Sequence, residues 1–554
     1  MPVCLLAILL SFCFIGSLSA QPGVDLVETQ GFTSALHRAN VSRIIFTQKA
    51  IDPAQLKPTD FLNTYKLTNK SNLFITVFMG NSLTNYLHQL APDLPSEVLT
   101  KTGGYQFNFY VDDRLVYQSN LHPGAPYAAV KNKETIITKP LINNQREGAW
   151  WSQSAWNRFM NNGGDSTLTD GRHRLKMEIR PYLQQTDLTV GAVIAGGQLN
   201  VLVNRKPRID LNTIRLTTPK PYPGFVISAE PFDRDKIKAL KGNIDEAVFK
   251  HITSVIVIKA GKLLIEEYFN GATRDSLHDV RSVGKSFAST AAGIALGEGY
   301  LKSDQQSLDE FYNLQDFANY SSRKDSTTLQ DLLTMSAALE GNDDKGESAG
   351  NEENMYPAAN WVKFTLDLPV DSVGTPKEWH YFTAGVILLG DIIDKNVPGG
   401  LERYTDVKLF QPLGITRYSW QYTPQKVANT AGGIRMNALD LAKYGQLYKN
   451  GGLWNGKQLI PKAWVQKTFT PHKVIPGRSN EYYGYLFWNR TYRVNGQAYE
   501  TYYCAGNGGN KIYVFKDQPL VVVVTATAFG TSYAHAQVDK MMVEYILPAT
   551  QRPQ

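Results

Sequence analysis

The stretch RSVGKSFASTAAGIALGEGYL, residues 281–301, limits most strongly what this chain can become. From Val283 onward Phe287, Ala291, Ile294, Ala295 and Leu296 recur near helical spacing, and Gly297 and Gly299 mark an end, so the pattern predicts a helix. Ser282 then stands at or just inside the helix N-terminus, with Lys285 one turn further on. Residues three apart on a helix are neighbours, so the ammonium reaches the hydroxyl. A serine is a poor nucleophile until a base takes its proton, and a lysine among apolar residues has its pKa lowered towards that task.

Three similar patterns point elsewhere. Ser321 and Lys324 repeat the spacing inside ANYSSRKDSTT, a polar stretch without apolar periodicity. GKS at 284–286 suggests a phosphate-binding loop, but Asp279 stands where that motif needs its first glycine. GESAG at 346–350 fits a nucleophile elbow. It lies in the acidic run EGNDDKGESAGNEEN, with neither the strand before nor the helix after that would expose its serine.

With 554 residues the chain exceeds one ordinary core and calls for roughly two to four domains. Its hydrophobic fraction of 43% and charged fraction of 19% are those of a soluble globular protein. The net charge of +7 is not gathered into a basic run, which disfavours a nucleic-acid partner. No metal-ligand spacing links the nine histidines, so neither a metal nor another cofactor is expected.

The first twenty residues, MPVCLLAILLSFCFIGSLSA, carry no charge and are apolar almost without break from Val3 to Ile15. Ser17 and Ser19 give the small-x-small spacing of a signal-peptidase site, with cleavage after Ala20 the alternative. Residues 1–20 are therefore expected to be a cleaved signal peptide, and the mature chain periplasmic or extracellular. Cys13 invites lipid anchoring, but Phe12 is too bulky for the residue before a lipidated cysteine. Cys4 and Cys13 leave with the signal, so Cys504 remains alone and no internal disulfide can form. No later segment approaches the ~20 apolar residues of a membrane helix. Asn40, Asn69, Asn319 and Asn489 begin glycosylation sequons, which matter only in a eukaryotic secretory pathway.

Residues 21–215 are expected to form a β-rich accessory domain resembling a sandwich. LFITVFMG (73–80), YQFNFYVDDRLVYQ (105–118), HRLKMEIRPYL (173–183) and LTVGAVIAGGQLNVLV (188–203) alternate or carry β-branched runs between turn residues. Leu175, Met177 and Ile179 alternate with Lys176, Glu178 and Arg180, as in a strand with one buried face. Trp150, Trp151 and Trp156 could stack on a cell-wall or other glycan, but core or interface packing is the commoner fate of such a cluster.

Residues 216–249 read as a linker, TTPKPYPGF (217–225), and an amphipathic entry helix near residues 236–249. Beyond residue 250 the chain opens with a hairpin, VIVIKAGKLLIEEYFNG (255–271), turning at Gly261. Mainly helical segments follow, then strands TYYCAG (501–506), KIYVF (511–515) and LVVVVTATA (520–528), and a closing helix near 536–546. The order predicts an α+β unit, an antiparallel sheet flanked by helices with a helical subdomain.

An ordered set of segments carries a resemblance. The hairpin, SVGKSF, LLTMSAAL (332–339), WHYFTAGVILLGDIID (379–394), LFQPLGI (409–415), ALDLAKYGQLYKNGGLWNGKQLIPKAWV (438–465), YYGYLFW (482–488) and AGNGGNKIYVF (505–515) are similar, in order and spacing, to the class C β-lactamase-like serine hydrolases. Within that superfamily they look closest to the esterase and 6-aminohexanoate-dimer-hydrolase branch. The resemblance implies a β-lactamase/transpeptidase-like fold over 250–554 and an acyl-enzyme on Ser282, acting without cofactor on a small-molecule or peptide-like ester or amide. Lys285 would hold and activate the serine. Tyr381, after the Gly374, Thr375 and Pro376 turn and before an apolar helix, takes the place of the family's proton-relaying tyrosine.

The family's third element, a Lys-Thr-Gly or His-x-Gly triplet, aligns with Cys504, Ala505 and Gly506, with NGG at 507–509 the competing placement. The first alignment implies that the Asn507 backbone N–H joins that of Ser282 in an oxyanion hole, donors of a kind worth about 3 to 4 kcal/mol each. Thr383 stands where β-lactamases carry an asparagine, and Cys504 where a lysine or histidine belongs. Threonine lacks the amide's paired donor and acceptor, and the thiol lacks the cation. Both departures argue against an efficient β-lactamase or D,D-peptidase, with Lys511 and Arg435 the available substitute cations. Trp488 is a candidate apolar wall of the acyl pocket.

Overall fold

The structure, a computed structural model, describes residues 27–144, 151–370 and 377–551. The expected signal peptide, Trp150, the Trp151 side chain and the turn at 374–376 lie outside the described residues. The chain divides into two compact units, Met1–Lys206 and Pro207–Gln554. The division precedes the expected 215/216 boundary because the intervening residues pack onto the second unit. Ile209 and Ile214 lie so close to Gly242 that a β-carbon there would meet them at 2.4 and 2.6 Å. The backbone N–H of Thr217 donates to Glu267.

Among the described residues the first unit holds nine strands, β1 (Arg43–Thr47), β2 (Thr64–Thr68), β3 (Leu73–Phe78), β4 (Gly103–Val111), β5 (Arg114–Asn120), β6 (Ile136–Ile142), β7 (Gly171–Gln184), β8 (Leu188–Val190) and β9 (Ala195–Asn204). They form one sheet in the order β5-β4-β7-β9-β1-β3-β6, with β2 added to β9 and β8 to β7. The sheet is mixed, since β1 and β2 run parallel to β9. The β-rich expectation holds, but the sandwich does not. Helices rather than a second sheet cover the core, with Leu83 and Leu87 of helix Leu83–Leu90 and Leu99 of helix Ser96–Thr102 packed among Phe107, Phe109 and Met177.

Along β7 the side chains of Leu175, Met177 and Ile179 are buried, and the charged residues between them are half-buried. Trp156 belongs to this core, 5% exposed and against Phe109 and Phe159. It is therefore no glycan platform. Of the sequon asparagines, Asn40 and Asn489 are buried.

The second unit is built on an antiparallel sheet of eight strands. A hairpin of β10 (Ile252–Lys259) and β11 (Lys262–Tyr268) begins it. Three short strands, β12 (His278–Asp279), β13 (Tyr418–Trp420) and β14 (Ile434–Met436), make a separate sheet, and β15 (Leu453–Trp454) with β16 (Lys457–Gln458) a small hairpin. The main sheet is completed by β17 (Lys473–Val474), β18 (Tyr482–Tyr483), β19 (Trp488–Val494), β20 (Gln497–Gly506), β21 (Asn510–Phe515) and β22 (Leu520–Ala526). Its order is β11-β10-β22-β21-β20-β19-β18-β17.

Strand alternation sorts this sheet's two faces. Ile256, Ile512, Val514, Val521 and Val523 face the helices Gly284–Gly297 and Ala438–Lys449. Val255, Val257, Tyr513, Phe515, Val522 and Val524 face the helices Arg234–Asp245 and Ala534–Met541. Between β11 and β17 the chain builds a helical subdomain that includes Leu329–Leu333, Trp361–Asp367, Thr383–Asn396 and Gly400–Thr405. The expected α+β architecture is present.

Candidate functional site

Ser282 is the middle residue of a single 3-10 turn, Arg281–Val283, that feeds directly into helix Gly284–Gly297. From Gly284 to Ala295 every helix residue is buried, because small alanines, glycines and serines let the neighbouring elements close in. Lys285, one turn into this apolar environment, is 2% exposed. Its Nζ donates to Ser282 Oγ at 2.8 Å and to the Ala431 carbonyl at 2.5 Å. Burial lowers its pKa from 10.5 to about 8, against the opposing pull of Glu352 and Asp343.

The Ala431 carbonyl can reach Lys285 because Gly432 has no side chain. Its φ is 148°, and a β-carbon would stand 2.8 Å from the Arg281 carbonyl carbon and 3.0 Å from the Ser282 nitrogen. Neither Ala431 nor Gly432 was singled out in the sequence, where they lie far from the serine and carry no reactive group.

Tyr381 comes from the helical subdomain. Its carbonyl accepts from the Asp343 backbone N–H at 2.8 Å, and Asp343 Oδ2 in turn accepts from the Thr383 backbone N–H at 2.8 Å. Asp343 therefore locks the tyrosine to the first turn of helix Thr383–Asn396. Its Oδ1 also accepts from the Glu352 backbone N–H at 2.9 Å. Thr383 is fully buried beside this carboxylate.

The Tyr381 ring lies beneath Lys285 Nζ, 5.2 Å from the ring centre, and stacks on Trp488 with centroids 5.9 Å apart and planes at 22°. Burial raises its pKa, opposed by a side-chain interaction with Ser282 and reinforced by Asp343, Glu352 and Asp344. The hydroxyl is a protonated phenol at neutral pH.

Trp488 opens β19 opposite Tyr503 of β20 and is half-buried. Tyr483 meets it edge-on at 5.0 Å, Trp379 at 5.6 Å, and the Arg478 guanidinium lies 5.1 Å over its ring. The expected wall residue thus belongs to an aromatic cluster that includes Tyr381.

The end of β20 reaches the serine from the sheet side. Gly506 abuts the turn that carries Ser282, since a β-carbon would fall 2.0 Å from the Val280 carbonyl oxygen and 3.1 Å from the Val283 nitrogen. Gly506 pairs with Asn510 across the hairpin, and the NGG triplet at 507–509 forms its turn, with Gly508 and Gly509 at φ 89° and 96°. The Asn507 side chain accepts from the Gly530 N–H. Asn510, which the sequence did not mark, holds the loop from within. Its amide nitrogen donates to the carbonyls of Asn507 and Asp279, and its oxygen accepts from the Ala526 N–H.

Cys504 points into the helix-side core, 1% exposed, with its thiol pushed up to about 12 by burial. Lys511 cannot replace the missing cation at that place. It projects from the opposite face, where Nζ pairs with Asp539 at 2.6 Å, and it is itself buried. Arg435 is exposed on β14, in register with Asp279.

The look-alike motifs resolve differently. Lys324 is fully buried, but its Nζ donates to the Ala318 and Leu366 carbonyls, while Ser321 caps a four-residue helix. Ser348 of GESAG is buried in a loop and accepts from the Asn342 N–H. Among the described residues no group of three or more His, Cys, Asp or Glu side chains could hold a metal ion. No helix of the described residues is long and apolar enough to cross a membrane.

Comparison with known proteins bears on the same region. The family model described as Beta-lactamase matches residues 243–541, more than half of the chain. A curated relative, the 6-aminohexanoate-dimer hydrolase of Paenarthrobacter ureafaciens, is 24% identical over 269 residues, which cover 46% of this chain and 65% of the relative. The match thus spans slightly less than two thirds of that relative's length.

Among solved structures, an octameric penicillin-binding protein homologue from Pyrococcus abyssi is 20% identical, covering 57% of this chain and 76% of its own with a TM-score of 0.43. A class C beta-lactamase is 18% identical, covering 58% and 97% with a TM-score of 0.42. The resemblance carried by the ordered motifs is borne out by the family match and the curated relative. By the extent of that match, the chain belongs to the Beta-lactamase family.

Proposed function

We propose that this chain is an exported serine hydrolase that cleaves an ester or amide through an acyl-enzyme on Ser282. The observation that carries the reading is the contact between Lys285 and Ser282, made by a lysine whose burial brings its pKa down to about 8. A substantial neutral fraction near that pH can accept the serine proton as Oγ attacks the substrate carbonyl. The backbone N–H groups of Ser282 and Asn507 receive the developing oxyanion. Tyr381, held as a phenol, donates its proton to the leaving oxygen or nitrogen and recovers one from the Lys285 ammonium. Water then attacks the acyl-enzyme by the reverse relay, releasing the acid and restoring Ser282.

The buried, neutral Cys504 and the engagement of Lys511 on the far face favour an acyl group without an anionic anchor at that position. An efficient β-lactamase or D,D-peptidase is the less favoured alternative. Export rests on the uncharged apolar run of residues 1–20. Incubation with a fluorophosphonate or p-nitrophenyl acetate should add the corresponding mass at Ser282, and Ser282→Ala should abolish both labelling and turnover. An unmodified wild-type mass, or turnover that survives in the variant, rejects the proposal.

A further inference from the structure

A cavity of about 990 Å³ opens at the end of the main sheet where β20 begins, among Asn495, Gln497, Tyr499, Gln518 and Gln551. Ser282 lies by the other end of that strand, and ten residues at about 3.3 Å each separate the two ends by about 30 Å. A ligand here cannot be the group that reacts at the serine.

The side chains form a hydrogen-bond relay that runs in one direction. Asn495 Nδ2 donates to Gln551 Oε1 at 3.0 Å, Gln551 Nε2 to the Tyr499 hydroxyl at 2.7 Å, and that hydroxyl to Gln497 Oε1 at 2.9 Å. Each bond polarises the next. Among the described residues the two ends stay open, the Asn495 carbonyl as an acceptor and the Gln497 amide NH₂ as a donor. Gln518 adds a side-chain oxygen that is buried and has no partner among the described residues.

The charged lining residues are Glu230, Asp233, Lys236 and Lys259, which sum to no formal charge. Lys259 and Glu230 pair at 2.9 Å, and the Asp233 carboxylate accepts from the Lys236 backbone N–H. Nothing in this balance calls for an ionic ligand. Paired acceptors and donors at fixed spacing match groups that donate and accept at once, which is the property of vicinal hydroxyls. Pro519 and Pro548 supply carbon faces for the apolar side of a sugar ring.

We propose that this cavity binds a neutral polyhydroxylated ligand of the oligosaccharide class. The full chain should show saturation-transfer NMR signals from at least one of maltotriose, cellotriose and triacetylchitotriose. Calorimetric titration should then give a Kd that rises at least tenfold in Tyr499→Phe, which breaks the relay and keeps the ring, and in Gln497→Leu, an exposed position whose change spares the core. The Tm of Gln497→Leu and its ester turnover should stay at the wild-type values. Absence of transfer from all three sugars overturns the proposal, as does an unchanged Kd in Gln497→Leu. Tighter binding of trigalacturonic acid than of any neutral sugar overturns the assignment of ligand class.

Discussion

Gly506 touches Val280 backbone to backbone, so closely that a β-carbon on the glycine would lie 2.0 Å from the valine carbonyl oxygen. This contact presses the end of β20 against the turn that carries Ser282, and Asn507, the proposed oxyanion donor, is the next residue along the chain. Gly506→Ala must push the two apart. The variant should lose about a hundredfold or more in kcat, the scale of one lost oxyanion donor. A destabilisation of about 1 to 3 kcal/mol should accompany it. Stopped assays on a p-nitrophenyl ester and thermal melts read both, and wild-type kcat in the variant would contradict the placement.

As the proposed base, Lys285 should set the pH profile. Its folded pKa of about 8 lies below the ordinary 10.5, and in the proposed mechanism the neutral amine is the active form, so kcat/KM should fall about tenfold per pH unit below 8 and level off above it. Lys285→Arg keeps the positive charge but cannot lose its proton. It should cost on the order of 10² to 10⁴ in kcat at pH 8. A flat profile between pH 6 and 9 would remove the lysine from the base role.

Tyr381 and Trp488 share a stack but should separate kinetically. Tyr381→Phe preserves the ring and deletes the hydroxyl proposed to donate the proton, so kcat should drop about 10² to 10⁴-fold with KM little changed. Trp488→Ala removes the stacking surface of a half-buried ring, and is expected to raise KM and cost about 1 to 3 kcal/mol in stability. Steady-state kinetics with chemical melts of the two variants distinguish the outcomes.

The Cys504 thiol, buried and held up to about 12, is mostly protonated at pH 8 and closed to reagents. In the chain beginning at residue 21, Ellman's reagent should find no fast-reacting thiol under native conditions and one in denaturant. Rapid native labelling would show that the strand opens at this position.

Lys324 serves as an internal control for the motif. Its ammonium donates to the Ala318 and Leu366 carbonyls, so Lys324→Met should leave turnover unchanged. Leaving those acceptors unsatisfied should lower stability by about 1 to 3 kcal/mol. Loss of turnover with an unchanged melt would reverse the assignment of the two Ser-x-x-Lys copies.

What the sequence by itself determined was local. Ser282 and Lys285 meet because they are one helical turn apart, and the apolar run of the following residues makes that helix a buried one. Strand alternation in β7 and the valine run of β22 announced their sheets for the same reason, since a period of two or 3.6 is written in consecutive residues. The order of the motifs carried the family.

Tertiary structure decided everything that depends on which distant segments close on one another. Ser321 and Lys324 have the same spacing as Ser282 and Lys285, yet Lys324 turns to two carbonyls while Lys285 reaches its serine hydroxyl as well as a carbonyl, because their surroundings differ. Ala431, Gly432, Asp343 and Asn510 shape the site through backbone contacts and hydrogen bonds that no side-chain pattern encodes. The first unit covers its sheet with helices because Leu83, Leu87 and Leu99 fill its core, a choice that strand count cannot reveal. Lys511 is lost to the site through strand parity, which sends its side chain to the face opposite Ile512 and into the reach of Asp539.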